Sequence, residues 1–331
     1  MQTKIDDNRK PAEPVAARPT LLYDRLLSPA DTIVACYLIL LAGLIGAFSV
    51  RVPLWWELML SHGLAVYLIF VLARRPGLAA DANGAGQMAG DSAKPLVYFI
   101  RFWYPLLLIP FTYKELGYLI PRLRSHDVDG RLAAIDFRIF GTDPVLWLDR
   151  LASPPLTLLL QLSYLTYYLF PVVMAVILWR RRQYARFHFL AFVVALGFYA
   201  SYIGYIAVPA IGPRFFLPPQ AGQFQNVAVQ FIRRTLDRAE GITRDCFPSG
   251  HTELTMLVLY CAWRFERRAF WIMLPAACTL VLSTVYLKYH YVIDVFAGAV
   301  LAVAIMALAN WLYAALGGDR SALTHSRADV Q

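Results

Sequence analysis

Residues 292–316 read VIDVFAGAVLAVAIMALANWLYAAL, a run in which Asp294 is the one charged residue. Crossing the ~30 Å hydrocarbon core of a bilayer takes roughly 20 helical residues, so this stretch is long enough to span. Seven more apolar runs lie upstream, at 32–50, 54–73, 96–113, 155–178, 187–209, 251–268 and 270–288. The 331 residues are 59% hydrophobic and 16% charged, a balance that excludes a soluble domain with a charged surface and makes lipid the solvent. Backbone groups in lipid must be satisfied internally, so the runs are expected to be helices. The expected fold is all-α, a polytopic membrane bundle of about eight transmembrane helices with six of them forming a core.

The loops set the orientation. Arg180, Arg181, Arg182 and Arg186 lie between the fourth and fifth runs, and Arg264, Arg267 and Arg268 between the sixth and seventh. Positive charge in short loops marks the cytoplasmic side, and the N-terminal tail with Lys4, Arg9, Lys10, Arg18 and Arg25 agrees. The loops at 114–154 and 210–250 are then expected to face outward, which is periplasmic if the membrane is a bacterial inner membrane. Both termini are expected in the cytoplasm. Anchoring to anionic headgroups accounts for the net charge of +9, and no groove-reading motif points to nucleic acid.

The expected organisation is a cytoplasmic tail at 1–28, two peripheral transmembrane helices at 29–75, a flexible Gly- and Ala-rich loop at 76–95, a membrane-embedded core at 96–316 and a cytoplasmic tail at 317–331. No apolar stretch followed by a small-residue cleavage site occurs in the first 25 residues, so the first span is expected to be retained. The segment 131–151 alternates apolar residues with Asp136, Arg138, Asp143, Pro144 and Asp149, too polar to span. An interfacial or re-entrant helix is expected there, as a roof over a lipid site or as a surface anchor. Cys36, Cys261 and Cys278 sit in apolar runs and Cys246 in a loop, so neither a disulfide pair nor a zinc spacing is visible.

Ionisable groups at membrane depth are costly, so their positions direct attention to function. Three clusters stand out: Tyr205–Arg214, Cys246–Glu253 and Lys288–Asp294. Alternating span direction puts all three on the outer face. In the second, Ser249 and Gly250 open a helix whose N–H groups and dipole favour an anion. Arg214 offers a bidentate guanidinium to a phosphate, and Lys288 a compact charge. His290 and Asp294 are spaced i, i+4, so a carboxylate can fix the imidazole tautomer and leave the other ring nitrogen free to attack. The expected chemistry is a two-step displacement at phosphorus: His290 as nucleophile, Asp294 as its support, His251 as acid and then base. Glu253 either activates an acceptor alcohol or complements the helix dipole, and Tyr205 is a further candidate. No metal and no cofactor is expected.

These residues resemble those of the lipid phosphate phosphatase and phosphotransferase superfamily related to type-2 phosphatidic acid phosphatase. Pro248-Ser249-Gly250-His251 matches its central motif, and His290-x-x-x-Asp294 the end of its third, in the expected order over roughly 160–316. The resemblance implies the same roles for His290, His251 and Asp294. Two departures matter: Ala207 stands where the first motif carries a Lys, with the order Pro213-Arg214, and Ser283-Thr284 replaces the Ser-Arg of the third. A phosphate-binding Arg is therefore missing, and Lys288 is expected to substitute. Gly212-Pro213-Arg214, Tyr289–Asp294 and Asp136 with Phe140-Gly141 and Pro144 look more like the inositolphosphotransferase branch, which includes inositol phosphorylceramide synthases. That branch implies inositol-phosphate transfer to a lipid alcohol. The alternatives are a lipid phosphate or isoprenyl diphosphate phosphatase using water, and a non-catalytic lipid binder or transporter. In each case the expected partners are membrane lipids.

Overall fold

The computed structural model describes residues 27–74, 95–217 and 226–323; the basic N-terminal tail and the connector at 76–94 lie outside them. Among the described residues there are no strands. The helices, in chain order, are α1 (Pro29–Ala47), α2 (Trp55–Ala73), α3 (Pro95–Leu123), α4 (Asp129–Phe140), α5 (Pro144–Leu148), α6 (Pro154–Arg180), α7 (Tyr184–Ala207), α8 (Pro213–Phe216), α9 (Val227–Glu240), α10 (Gly250–Phe265), α11 (Arg267–Tyr286) and α12 (Val292–Ala315).

Each of the eight apolar runs is a helix, but only six of these (α1, α2, α6, α7, α11 and α12) are both long and apolar enough to cross a bilayer unaided. The other two are α3, which carries Arg101, Lys114 and Glu115 along with internal Pro105, Pro110 and Pro121, and α10, which has 16 residues. Both depend on neighbouring helices to cover their polar groups. The centre of the bundle is α7, whose Phe187, Phe189, Leu190, Phe192 and Val193 are fully buried. Around it pack α1, α3, α6, α10 and α12. Outward-facing Leu60, Leu64, Val300, Ile272 and Trp311 are exposed, as side chains that face acyl chains should be.

Expected at the periphery with α2, α1 is instead built into the bundle. Tyr37 stacks on Tyr199 of α7 with ring centroids 4.1 Å apart. Asp31 accepts two hydrogen bonds from Arg101 of α3, at 2.8 and 2.6 Å, and a third from Tyr104. The same carboxylate closes a capping box with Ser28 at the start of α1. One acidic residue thus starts a helix and neutralises a buried guanidinium.

Of the 131–151 segment, α4 is too short to span. Its Ile135, Phe137, Ile139 and Phe140 are exposed, while Asp129, Leu132 and Asp136 are buried on the opposite face. Gly141 ends it in the left-handed conformation (φ 68°). The buried face has a structural task of its own. Asp136 accepts from the N–H groups of Val292 (2.7 Å) and Ile293 (2.8 Å), capping α12 from another helix. Asp129 accepts from the N–H groups of Ile211 (2.9 Å) and Gly212 (2.8 Å) and from the Tyr291 hydroxyl (3.1 Å). Two carboxylates two turns apart on one helical face therefore fix the loops on which the candidate site is built.

Candidate active site

The three polar clusters converge at the end of the bundle where α7 finishes and α10 and α12 begin. Backbone hydrogen bonds lock them together: the Arg214 N–H donates to the Lys288 carbonyl (2.8 Å) and the Ser249 N–H to the Asp294 carbonyl (3.0 Å). Close approach depends on two glycines. Gly212 has φ 82°, and a Cβ there would lie 2.8 Å from the Tyr289 carbonyl oxygen. A Cβ at Gly298 of α12 would lie 2.3 Å from the Ser249 carbonyl oxygen, so α12 can pass the start of α10 only without a side chain.

The chemistry centres on two imidazoles. His290 Nε2 faces His251 Nδ1 at 3.1 Å. On its other side, His290 Nδ1 lies 2.8 Å from the Cys246 carbonyl oxygen and 3.6 Å from Asp294 Oδ2. A carbonyl oxygen can only accept, so Nδ1 carries the proton and Nε2 holds a lone pair directed at His251. The nearer tautomer-fixing acceptor is thus a backbone carbonyl, with the carboxylate behind it. Asp294 Oδ2 itself accepts from the Cys246 thiol (2.9 Å) and from the Tyr291 N–H (2.8 Å). Burial, and then the charge of Asp294, pushes the Cys246 thiol well above its ordinary range, so it stays protonated and donates. Tyr164 and Tyr167 of α6 flank the His251 ring, with centroids at 4.6 and 4.2 Å.

The remaining candidates are placed as follows. Ser249 caps α10: its hydroxyl accepts from the Thr252 N–H (3.3 Å), and its own N–H is committed to Asp294, so the cradle drawn from the sequence is partly occupied by the fold. Helical geometry leaves the N–H groups of Gly250 and His251 as the first-turn donors. Tyr205 is buried in the last turn of α7, its hydroxyl packed against Gly250 so closely that a Cβ there would lie 2.4 Å away. Glu253 is fully buried and accepts from Ser201 of α7, one turn below the histidines. Lys288 is engaged elsewhere: its ammonium pairs with Asp149 Oδ2 at 2.9 Å, both side chains almost completely buried, and its backbone is left-handed at φ 67°. Arg214 lies over the Tyr289 ring (4.7 Å to the centroid) and pairs with Asp237 of α9 at 2.6 Å.

Asp129 and Arg233 join the site or its supports through tertiary contact alone, with no sequence signal of their own. Cys246 stands out in the sequence only as a loop cysteine, Asp136 and Asp149 as polar breaks in the segment 131–151, and Tyr164 and Tyr167 as part of an aromatic-rich stretch able to line a lipid groove. Donor atoms of Cys246, His290 and Asp294 all lie within 4.8 Å of one another, a set that could hold a metal ion. Within this set the Cys246 thiol donates to Asp294 Oδ2 and His290 Nδ1 to the Cys246 carbonyl.

A buried imidazole pair, one ring fixed in tautomer and aimed at the other, thus lies near a guanidinium at one end of an integral membrane bundle, an arrangement chemically able to engage a phosphate-linked group. The chain belongs to the PAP2 superfamily, whose family model matches residues 132–308, just over half of its length. That superfamily comprises phosphatases and phosphotransferases, which supports an enzyme acting on lipid phosphates. The match starts within α4 and takes in Asp136, whose carboxylate caps α12. Comparisons with curated proteins and with solved structures return no match.

Proposed function

We propose that the protein is an integral membrane lipid phosphotransferase or phosphatase working through a phosphohistidine at His290. The 3.1 Å approach of His251 Nδ1 to His290 Nε2, with Nδ1 of His290 held on the Cys246 carbonyl, carries this reading. In the first step the Nε2 lone pair forms a bond to phosphorus. The phosphorus–oxygen bond to the leaving group breaks, and the departing oxygen takes a proton from His251. In the second step His251 removes a proton from water or an alcohol whose oxygen attacks phosphorus, and the electron pair of the P–N bond returns to Nε2. Charge on the equatorial oxygens is met by Arg214 and by the N–H groups opening α10. Asp294 supports the imidazolium-like state and holds the turn before α12. Ser249 shapes that helix start, while Tyr205 and Glu253 line the bundle beneath it. Lys288 contributes by fixing the loop before His290 through Asp149.

The donor is a phospholipid or lipid phosphate and the acceptor water or a lipid alcohol. The Gly212-Pro213-Arg214 and Tyr289–Asp294 forms favour inositol-phosphate transfer as the specific reaction. The site is assigned to the outer, periplasmic face and the termini to the cytoplasm, because Arg180–Arg186 and Arg264–Arg268 cluster at the opposite end of the bundle.

The test is turnover by detergent-purified protein in chelator, on phosphatidate, isoprenyl diphosphate, and phosphatidylinositol with ceramide, alongside His290→Ala. Free phosphate lost in the variant marks a phosphatase, and a new lipid product marks a transferase. With headgroup-labelled substrate, an acid-labile, alkali-stable phosphoprotein should accumulate only when His290 is present. Silence on every lipid, with lipid binding retained in the variant, would instead indicate a non-catalytic lipid binder.

A further inference from the structure

The proposed displacement uses the backbone carbonyl of Cys246 but not its thiol. That thiol is buried and turned toward the two groups on which the nucleophile depends. Its sulfur lies 2.9 Å from Asp294 Oδ2 and 3.7 Å from His290 Nδ1, and Nδ1 and Oδ2 are 3.6 Å apart. Sulfur, imidazole nitrogen and carboxylate oxygen thus form a triangle between the loop before α10 and the turn that opens α12. Asp294 Oδ1 is buried without a hydrogen-bond partner, so the carboxylate has a further oxygen to offer.

Zinc bonds of about 2.3 Å to sulfur and about 2.0–2.2 Å to nitrogen and oxygen put tetrahedral ligands roughly 3.3–3.6 Å from one another. Two edges of the triangle match this to within about 0.3 Å. The third is short because the thiol proton lies along it. A metal removes that proton outright, and the resulting thiolate and carboxylate are two anions that a cation holds together. A mixed sulfur, nitrogen and oxygen set favours Zn²⁺ or Cd²⁺ over Mg²⁺ and Ca²⁺, which take oxygen ligands. The nearby Arg214 and Lys288 are already neutralised by Asp237 and Asp149. Coordination at Nδ1 has a direct chemical consequence. The thiol proton leaves to solvent, the Nδ1 proton passes to Nε2, and the neutral ring no longer holds the lone pair that attacks phosphorus.

We propose that Cys246, His290 and Asp294 form an inhibitory site for a thiophilic divalent cation, which takes Nδ1 of the nucleophile and locks its ring in the tautomer that cannot attack. The inhibition rests on the reading of His290 as nucleophile, whereas the binding does not, and the experiment keeps the two apart. Cd²⁺ is titrated into detergent-purified, chelator-stripped full-length protein, and the ultraviolet charge-transfer band of a cadmium–thiolate bond is followed. Cys36→Ala and Cys278→Ala are present throughout, so that the exposed thiols do not contribute. Inhibition by Zn²⁺ is measured in parallel on the lipid the protein turns over, each variant relative to its own metal-free rate. The expected results are one Cd²⁺ per chain, a band lost in Cys246→Ser, and a Zn²⁺ concentration for half-inhibition raised tenfold or more in that variant, with Mg²⁺ inert. A Cys246-dependent band in a chain that turns over no lipid would support the metal site while removing the proposed reaction. Absence of such a band would overturn the proposal, as would Zn²⁺ inhibition unchanged by Cys246→Ser or a bound ion that leaves turnover intact. If Cys246→Ser is not monodisperse, the ¹¹³Cd resonance of the chain that retains Cys246 decides: a shift in the all-oxygen range would overturn the proposal.

Discussion

The two ends of the bundle handle buried charge in opposite ways. At the end where α1 and α7 begin, Asp31 meets Arg101 and Tyr104 in a closed set of hydrogen bonds. At the other end, imidazole faces imidazole at 3.1 Å and two arginines share one tyrosine ring. Like groups are brought together there, and the supporting carboxylates, Asp129 and Asp136, are spent on backbone N–H groups rather than on cations. The first end is closed by one buried ion pair, whereas at the second Arg214 and Lys288 have carboxylate partners in Asp237 and Asp149 and the two imidazoles face each other. Charge that is internally matched contributes to folding, and charge that is left to be matched contributes to binding and catalysis.

Substitutions at each end should therefore fail in different currencies. His290→Ala should lower turnover by about 10³-fold or more while the melting temperature in detergent moves little, since a nucleophile has no substitute in a covalent route. A large drop in melting temperature with substantial residual turnover would break the distinction. Asp31→Ala should do the reverse, costing roughly 3–5 kcal/mol of stability by stranding Arg101, with kcat of the surviving folded protein near wild type. Thermal unfolding and turnover measured on the same preparation check it. Asp294→Asn should cost about 10²-fold in kcat, less than His290→Ala, because the Cys246 carbonyl continues to hold Nδ1. Equal losses in the two variants would show that the carbonyl contributes nothing.

The smallest effect concerns pH. Burial, then the neighbouring Asp245, pushes the Glu240 carboxyl up to about 7. Below that pH it is neutral; above it, it places negative charge near Arg214. The KM for an anionic headgroup should thus rise as pH increases from 6 to 8, and Glu240→Gln should remove about a two- to threefold part of that rise, within the range of a screened surface-side charge. A KM profile identical in the variant would show that Glu240 does not sense the site. The same sign applies to folding: a carboxyl raised in the folded state is stabilising while protonated, and that contribution is lost as pH climbs from the ordinary carboxylate range through 7.

Composition and apolar run length were enough to read the membrane bundle, because hydrophobic length is a local property. The motif residues were legible for the same reason, each cluster being contiguous. What escaped were contacts that join distant segments. Asp136 caps residues at 292 and 293, and Asp149 holds Lys288. The sequence does carry a trace of the first: Asp129, Leu132 and Asp136 repeat at helical spacing, which marks one acidic face of a short helix whose other face is apolar. The side chain of Lys288 was beyond the reach of sequence spacing. Proximity in sequence to His290 says where its backbone lies, but the left-handed turn at Lys288 and the buried carboxylate of Asp149 decide where the side chain goes. Helix α1 was set at the periphery because nothing local reveals that Asp31 has a partner seventy residues on.

Helix α9 begins on its own cap, ends on its own glycine, and packs Leu236 and Ile232 against the cluster that holds Tyr164 and Tyr289. A segment delimited in this way carries its own start and stop signals, so its helical form is set locally while its position is set by the aromatic cluster on which it packs.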